Sequence, residues 1–439
     1  MKKAYLKTLS SLVLLSLILA LSLTLTSCKA GSKIILSAEE LSANALAEEN
    51  KDEEYAYSYF DSWEFPSFSA GKLKRIENIY RKYYYKELPS AYELATLAAK
   101  IFIEHYYENT ELTDSDKVTD ALISSYVAAI GDPYSFYRTK PEYQSYSGNM
   151  SGTFVGVGIT VSYSEETGEM KVTAPIKNSP AEEAGILAGD IVVAIDGARV
   201  SDIGYEAALE RIKGEKGTEV TLTVLRDGSE LSFTMKRAPL VDISVDYRIT
   251  EDKIGYIDID SFKKNTDEQF CEAIDYMKEN GARVIVYDVR DNGGGYLDTV
   301  VNMLDYIAED GITLASFSND YEKPYIADDG HSIDLPAVIL CNRYSASASE
   351  LFLAGMRDLG AASGFAVEIV GENTYGKGIM QTTFRLSDKS AITLTVAYYF
   401  PPSGDNFDGE GIPPTTEVIG AAEQRRVAFE LAAAYCTPQ

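Results

Sequence analysis

Residues 336–359 read PAVILCNRYSASASELFLAGMRDL, and this stretch decides the fold of the C-terminal half of the chain. Residues 336–341 form a short apolar run typical of a buried strand, and residues 348–359 have the apolar spacing of a helix. Small residues in the turn between them let a serine hydroxyl project while the N–H groups that follow stay unpaired. Free N–H groups and the helix dipole stabilise a developing oxyanion, so the turn is a candidate nucleophile site. The alternative is an ordinary serine-rich helix N-terminus.

Strands and helices alternate on both sides of this turn. After about residue 240, short apolar runs alternate with segments of helical spacing, and glycines end several of them. The predicted strands are 254–259, 283–289, 336–341, 366–370 and 392–399, and the predicted helices are 267–280, 296–309 and 348–359. Alternation of this kind predicts an α/β layer structure with a largely parallel sheet.

A second candidate group lies in the glycine-rich loop 371–378, GENTYGKG, directly after a predicted strand. Lys377 stands between two glycines, where other backbone can approach closely. Burial lowers the pKa of a lysine and makes its amine a usable general base near neutral pH. The alternatives are a solvated loop lysine and a phosphate-binding loop, although the P-loop spacing is absent.

Between residues 147 and 237 the pattern changes to short strands separated by turns. Residues 179–197, SPAEEAGILAGDIVVAIDG, combine a Ser-Pro helix start, a closing glycine and an Asp-Gly hairpin turn. This segment resembles a PDZ domain, in which a strand edge pairs with a peptide and loop N–H groups bind its terminal carboxylate. The resemblance implies that Val157, Gly158 and Ile159 form the carboxylate-binding loop. The alternative is a β-rich spacer without a ligand.

The first 70 residues indicate export. Three lysines precede the apolar run 12–25, which is shorter than the roughly 20 apolar residues that span a bilayer. Residues 1–27 are therefore predicted to be a secretory signal peptide. The segment that ends in Cys28 resembles the lipobox of bacterial lipoproteins, which implies an acylated Cys28 and residues 28–70 as a flexible acidic tether. The alternative is a simple signal peptide with an incidental cysteine.

The charge and the rare residue types exclude several classes of function. The chain has 439 residues, of which 40 are basic and 67 acidic, and the net charge of −27 argues against binding to nucleic acid. It has two histidines, and no cysteine pair has C-x-x-C spacing, so neither a multi-histidine zinc site nor a zinc ribbon is expected. No metal and no cofactor is predicted.

Five motifs, in order and around the PDZ-like segment, resemble the C-terminal processing (tail-specific) serine peptidases. The motifs are residues 132–135 (DPYS), 288–295 (DVRDNGGG), 344–350 (YSASASE), 371–378 (GENTYGKG) and 409–414 (GEGIPP). The resemblance covers about residues 71–420 and implies a ClpP/crotonase-like α/β peptidase core. That family usually has a proline where this chain has Gly293 and a histidine where it has Tyr134.

The resemblance also implies a Ser-Lys dyad. It places the nucleophile at Ser347, the general base at Lys377 and, at Gln381, a residue that helps to orient this lysine. The N–H groups of Gly294 and Ala348 would form the oxyanion hole. Neither histidine lies in a motif typical of a catalytic site, in agreement with a lysine base.

The sequence thus predicts an α/β multidomain protein with five parts. These are the signal peptide (1–27), the lipidated cysteine and tether (28–70), an N-terminal helical region (71–147), a PDZ domain (148–238) and a Ser-Lys peptidase core (239–433). The expected function is that of a serine endopeptidase, tethered to the bacterial membrane outside the cytoplasm, that cleaves proteins or peptides near their C-termini. Its expected partners are substrates with accessible C-terminal tails, the membrane through the N-terminal lipid and, by the resemblance, a second copy in a homodimer. The alternatives are a catalytically silent PDZ-containing binding scaffold of the cell envelope and a hydratase-like enzyme.

Overall fold

The computed structural model describes residues 70–106, 114–319, 323–331 and 333–436. The predicted signal peptide, the predicted lipidation at Cys28 and the predicted tether up to residue 69 lie outside the described residues. Within the described ranges, no helix combines the length and the apolar character that crossing a bilayer requires.

The N-terminal region is helical, as its spacing predicts. Its elements are α1 (Ala70–Tyr83), α2 (Ala91–Ile101), α3 (Ser115–Ala128), the short strand β1 (Phe136–Arg138) and α4 (Lys140–Met150). Helix α2 begins at a capping box, in which the Ser90 N–H donates to the Glu93 carboxylate and the Glu93 N–H donates to the Ser90 hydroxyl. It ends in a π-helical turn, Phe102–Tyr106.

The central region is an antiparallel sheet of strand order β3-β4-β5-β7-β8 with short helices packed against it. Its elements are β2 (Thr153–Gly156), β3 (Ile159–Ser164), β4 (Glu169–Pro175), α5 (Pro180–Ala184), β5 (Ile191–Ile195), β6 (Ala198–Arg199), α6 (Val200–Ile203), α7 (Tyr205–Ile212), β7 (Glu219–Arg226), β8 (Ser229–Lys236) and β9 (Ala238–Val241). Strands β2 and β9 pair antiparallel and bring the two ends of the region together. The sheet and helices enclose their own apolar cluster, which includes the buried side chains of Met170, Val192 and Leu222.

The C-terminal region is an α/β structure around a six-stranded sheet of order β10-β11-β12-β15-β16-β19. The elements of this region are β10 (Val245–Ile249), β11 (Ile254–Ile259), α8 (Thr266–Glu279), β12 (Val284–Asp288), α9 (Leu297–Asp305), β13 (Thr313–Phe317), β14 (Tyr325–Ile326), β15 (Ala337–Cys341), α10 (Ala348–Ser363), β16 (Val367–Gly371), β17 (Ile379–Arg385), β18 (Ala391–Phe400), β19 (Thr416–Glu417) and α11 (Ala421–Cys436). Strand β10 pairs antiparallel with β11, and the other pairings in this sheet are parallel. The predicted largely parallel sheet is thereby confirmed.

Both faces of this sheet are covered, because successive side chains of a strand point to opposite faces. In β12, Ile285 and Tyr287 pack into the large cluster that helices α8, α9 and α10 share. Their neighbours Val284 and Val286 pack on the other face against Ala428 of α11. Coverage of both faces explains why β12 and β15 read as continuous apolar runs rather than as alternating strands.

A second sheet joins the helical region to the C-terminal region. Strand β1 pairs antiparallel with β18, which also pairs with β13 and β17. Ile76 and Tyr80 of α1 and Ile123 of α3 are fully buried in one cluster with Ile392 and Leu394 of β18. The N-terminal helices and strand β18 therefore share one hydrophobic core, although they are far apart in the sequence.

Candidate active site

Three neighbouring parallel strands bring the candidate groups to one edge of the main sheet. Strand β12 leads into the glycine turn, β15 into the serine turn and β16 into the lysine loop. Carboxyl ends of parallel strands meet at the same edge, so the loops that follow them lie together. The N–H of Ala346 donates to the Asn292 carbonyl (3.0 Å), and the N–H of Tyr375 donates to the Ser345 carbonyl (3.1 Å). The serine turn is thus bonded to the loops on both sides.

The middle serine of the run differs from its two neighbours. The Ser345 hydroxyl donates to the Val289 carbonyl at 2.7 Å. The Ser349 hydroxyl donates to the Asn292 carbonyl at 2.8 Å, and both serines are fully buried. Ser347 is partly exposed, and among the described residues its hydroxyl donates no hydrogen bond to a backbone carbonyl. Its φ of +58° and ψ of −114° are strained for a residue with a side chain, and strain of this kind is typical of functional sites.

The predicted oxyanion donors lie next to this serine. A Cβ added to Gly294 would lie 3.0 Å from the Ala348 nitrogen and 3.0 Å from the Ser347 Cβ, and Gly294 has a φ of +103°. Only glycine permits this approach. As the first residue of α10, Ala348 has an N–H without an intrahelical acceptor. The Gly294 N–H donates to the Asn292 side-chain oxygen at 2.9 Å, so a substrate oxygen would have to share this donor.

The backbone of Lys377 is fixed on both sides, and its side chain reaches an aromatic ring. Its N–H donates to the Glu350 carboxylate (2.8 Å), and its carbonyl accepts from the Tyr399 hydroxyl (2.7 Å). The Lys377 Nζ lies 4.7 Å from the centroid of the Tyr134 ring. No hydrogen bond between the Ser347 hydroxyl and Lys377 Nζ occurs among the described residues. The backbones of the two predicted dyad residues are both bonded to Glu350, but the lysine side chain ends at Tyr134.

Burial lowers the pKa of the Lys377 amine below its usual value, because desolvation disfavours the ammonium form. The carboxylates of Asp132, Glu350 and Asp408 oppose this shift, since each favours the ammonium. The net lowering makes the neutral amine more accessible than in a solvated lysine, and a general base requires that form.

Gln381 lies on β17 and does not reach Lys377 by a hydrogen bond in the described part of the chain. Its amide nitrogen donates to the Ile379 carbonyl (3.3 Å) and to the Thr395 hydroxyl (3.2 Å). A register irregularity between Met380 and Gln381 changes the pairing of β17 with β18 at this point. The role of Gln381 in orienting the lysine stays a prediction.

The sequence analysis missed Glu350, which joins the serine turn to the lysine loop. Its carboxylate is fully buried and accepts from the backbone N–H groups of Ser347 (2.8 Å), Gly376 (2.6 Å) and Lys377 (2.8 Å). The Thr374 hydroxyl donates to the same group at 2.6 Å. The sequence carries a signal for half of this arrangement, because Ser347 and Glu350 have the spacing of a capping box.

The described cysteines do not offer a competing nucleophile at this edge. Cys271, Cys341 and Cys436 form no disulfide with one another. Cys341 ends β15, and burial raises the pKa of its thiol to about 12, so the reactive thiolate is scarce near neutral pH. The part of the chain that the structure describes contains no group of three or more His, Cys, Asp or Glu side chains that could hold a metal ion.

The predicted carboxylate-binding loop lies between β2 and β3, in the PDZ-like region. The Val157 carbonyl accepts from the Ala181 N–H (2.8 Å), and the Gly158 carbonyl accepts from the Ile176 N–H (2.9 Å) and the Ser179 hydroxyl (3.1 Å). Among the described residues, the N–H groups of Val157 and Gly158 donate no hydrogen bond. The loop thus offers two adjacent donors with their carbonyls anchored behind them.

Strand β3, which begins at Ile159, is at the edge of its sheet and lies beside helix α7. The rings of Tyr163 on β3 and Tyr205 on α7 stack with centroids 4.7 Å apart and planes 19° apart. Ile159, Val161 and Leu209 are partly buried and pack against the apolar cluster of this region. A strand edge next to a helix, with a free donor loop at its start, has the layout that peptide addition to a PDZ sheet requires.

Comparison with known proteins identifies two parts of the chain. Residues 253–418 match the model of peptidase family S41, and residues 171–226 match a PDZ domain model. The C-terminal region is thus similar to the peptidases of family S41, and the central region is similar to PDZ domains. The family resemblance seen in the sequence and the α/β multidomain fold are thereby confirmed.

Two curated relatives carry the name "Probable CtpA-like serine protease". The protein of Staphylococcus aureus (strain N315) is 32% identical over 350 residues, 79% of this chain and 64% of the relative. The protein of Staphylococcus haemolyticus (strain JCSC1435) is 34% identical over 331 residues, 74% of this chain and 64% of the relative. The chain therefore spans slightly less than two thirds of the length of these relatives.

A solved structure from Bacteroides fragilis that is assigned to the S41 proteases has a similar fold. The match covers 82% of this chain and 96% of that one, with 16% sequence identity and a TM-score of 0.51. At this identity the similarity concerns the fold alone.

Proposed function

We propose that the protein is a serine endopeptidase of the C-terminal processing type, with Ser347 as nucleophile and Lys377 as general base. The observation that supports this proposal most is that the loops carrying the two residues follow adjacent parallel strands, β15 and β16, at the same edge of the sheet. Ser347 stands on a strained, partly exposed turn, while burial lowers the pKa of the Lys377 amine. The match of residues 253–418 to the model of peptidase family S41 supports the class of reaction.

The proposed reaction is acyl transfer through a covalent intermediate. The neutral Lys377 amine takes the proton of the Ser347 hydroxyl as the serine oxygen bonds to the substrate carbonyl carbon. The oxyanion that forms is stabilised by the N–H groups of Ala348 and Gly294. The lysine ammonium then gives its proton to the leaving amine as the peptide C–N bond breaks. Water, deprotonated by the same amine, releases the acyl group and restores the Ser347 hydroxyl.

The dyad is tested by cleavage of an unstructured peptide tail and by labelling with a serine-directed fluorophosphonate. Ser347→Ala and Lys377→Ala should each abolish cleavage, and Ser347→Ala should abolish the label, since both reactions need an activated serine. Exposed Ser387→Ala and Lys278→Ala are matched controls that should keep full activity. Retained cleavage in either dyad variant would overturn the assignment. Absence of the label on the wild-type protein would favour the catalytically silent scaffold.

The proposal extends to tail recognition by the PDZ domain. The free N–H groups of Val157 and Gly158 would bind the terminal carboxylate, and the tail would pair with the edge of β3. Isothermal calorimetry with a tail peptide and its C-terminal amide tests this step. The amide, which lacks the carboxylate, should bind at least about tenfold more weakly. Equal affinities of the two peptides would show that the loop does not bind the terminal carboxylate.

The proposed location is the outer side of the bacterial membrane, with lipid on Cys28 as the anchor. The basic start, short apolar run and lipobox-like sequence support it. Metabolic labelling with a radioactive fatty acid should mark the wild-type protein and not Cys28→Ser, which should leave the membrane fraction. The proposed homodimer is tested by sedimentation of the protein without its first 69 residues. A single species with the mass of one chain would refute it.

A further inference from the structure

The Lys377 side chain ends on the face of Tyr134 instead of on the nucleophile. Its Nζ lies 4.7 Å from the ring centroid, within the range of a cation–π contact. Among the residues that the structure describes, this nitrogen makes no hydrogen bond and no ion pair. The N–H of Lys377 is bonded to Glu350, and its carbonyl is bonded to Tyr399. The backbone is therefore fixed, and Nζ can change its position only by rotation about the side-chain bonds.

Hydrogen bonds hold the Tyr134 side chain in place. Its backbone N–H donates to the Asp132 carboxylate at 3.0 Å, and its hydroxyl donates to the Tyr375 hydroxyl at 3.3 Å. The other Asp132 oxygen accepts from the Ser135 hydroxyl, which in turn accepts from the Thr395 N–H of β18 at 3.0 Å. The segment that carries the ring is thus anchored to a strand, and the ring is held from both ends.

An aromatic face attracts an ammonium and offers a neutral amine little, so the contact favours the protonated lysine. The carboxylates around Nζ act in the same direction, and they come from three elements: Asp132 before β1, Glu350 on α10 and Asp408 in the C-terminal loop. Burial acts in the opposite direction. The hydroxyls of Tyr375 and Tyr399 also face this space, and the pKa of Tyr399 is raised by burial, so it stays neutral.

We propose that Tyr134 is a positioning residue that holds the protonated Lys377 away from Ser347, so that the base must release its proton and leave the ring before it can act. The inference rests on the proposed dyad. The resting lysine gives its proton to water, and the neutral amine then turns to the serine hydroxyl. The ring therefore raises the fraction of protonated Lys377, and this fraction limits the activity at acidic pH.

The test compares Tyr134→Leu, which removes the π face, with Tyr134→Phe, which keeps the face and loses only the hydroxyl. The pKa of Lys377 is read by competitive acetylation followed by peptide mass spectrometry, a readout that needs no catalytic turnover. In Tyr134→Leu this pKa should fall by about one unit, and the acidic limb of kcat/KM for tail cleavage should move by the same amount. Tyr134→Phe keeps the ring and the backbone anchor at Asp132, so in both measurements it should lie much closer to the wild type than Tyr134→Leu does.

A third variant, Tyr134→Trp, keeps the inference testable if the leucine variant misfolds. Thermal unfolding of the leucine variant would reveal such misfolding. Tryptophan offers the stronger cation–π face, so the pKa of Lys377 should rise instead of fall. An unchanged lysine pKa in both the leucine and the tryptophan variants would overturn the inference. A fall in Tyr134→Phe equal to that in Tyr134→Leu would do the same, because the hydroxyl and not the face would then be responsible. Failure of the proposed function is distinct: wild-type protein would not cleave, while the titration of Lys377 would still report on the ring.

Discussion

Replacing Glu350 with glutamine tests how the nucleophile and the base are held together. The carboxylate accepts four hydrogen bonds, two on each oxygen, from the serine turn and the lysine loop. A glutamine side chain keeps the shape but turns one oxygen into an NH2 group, which cannot accept. Two of the four donors then face a donor in a fully buried site.

The expected loss follows from the number of bonds. A hydrogen bond to a charged group contributes about 1.5–3 kcal/mol, so the loss of two should lower the free energy of unfolding by about 3–6 kcal/mol. Because Ser347 and Lys377 are both held through their backbone N–H groups, kcat/KM for tail cleavage should fall by at least about 100-fold, the typical effect of a misplacement near 1 Å.

Urea unfolding and steady-state kinetics on the same preparations measure the two losses. The matched control is Glu93→Gln, which changes the same capping-box position in the exposed start of α2. This variant should lose far less stability and no activity, since water can replace the lost acceptor. Wild-type stability and activity in Glu350→Gln would refute the idea that one carboxylate holds the two loops in place.

Three further substitutions have defined outcomes. Gly294→Ala should lower kcat by about 100- to 1,000-fold because its Cβ would crowd the oxyanion donors; the control Gly293→Ala, with nothing within 4 Å of the added atom, should cleave normally. Gly158→Ala should abolish tail binding in calorimetry, since its Cβ would lie 2.3 Å from the Ser179 Cβ. An unchanged affinity would show that this loop does not bind the terminal carboxylate. Burial and neighbouring aspartates raise the pKa of Asp258 to about 6, so its ionised form destabilises the fold as the pH rises through this range. Asp258→Asn should raise Tm by roughly 2–4 °C at about pH 8 and not at about pH 4; an equal gain at both pH values would contradict the argument.

The meeting of the three motifs could be predicted because it follows from strand order. Strands β12, β15 and β16 are apolar runs that each end in a polar or glycine-rich turn, and parallel pairing puts such turns at one edge. The capping-box spacing of Ser347 and Glu350 could also be read in advance. Its extension to the lysine loop could not, since hydrogen bonds between loops leave no periodicity in either segment.

The side chains around Lys377 show where sequence reasoning ends. Tyr134 reaches the lysine because its segment is anchored to β18, a contact between opposite ends of the chain. Gln381 bonds to Thr395 after a register irregularity that alternation of side chains along a strand does not reveal. The Asn292 side-chain oxygen accepts a hydrogen bond from the Gly294 N–H, whereas the sequence predicted this N–H to be a free oxyanion donor. Each of these contacts depends on tertiary packing and not on a local pattern.

The separation of the Ser347 hydroxyl oxygen and Lys377 Nζ in a crystal structure with a peptide aldehyde bound is the most direct measurement. The aldehyde bonds to the serine as a substrate carbonyl would, and its oxygen reports on the N–H groups of Gly294 and Ala348. Lys377 Nζ should then have left Tyr134 and lie about 2.6–3.2 Å from the serine oxygen, the reach of a general base. A covalent adduct in which the nitrogen still rests on the ring, or an adduct on a different residue, would contradict the account.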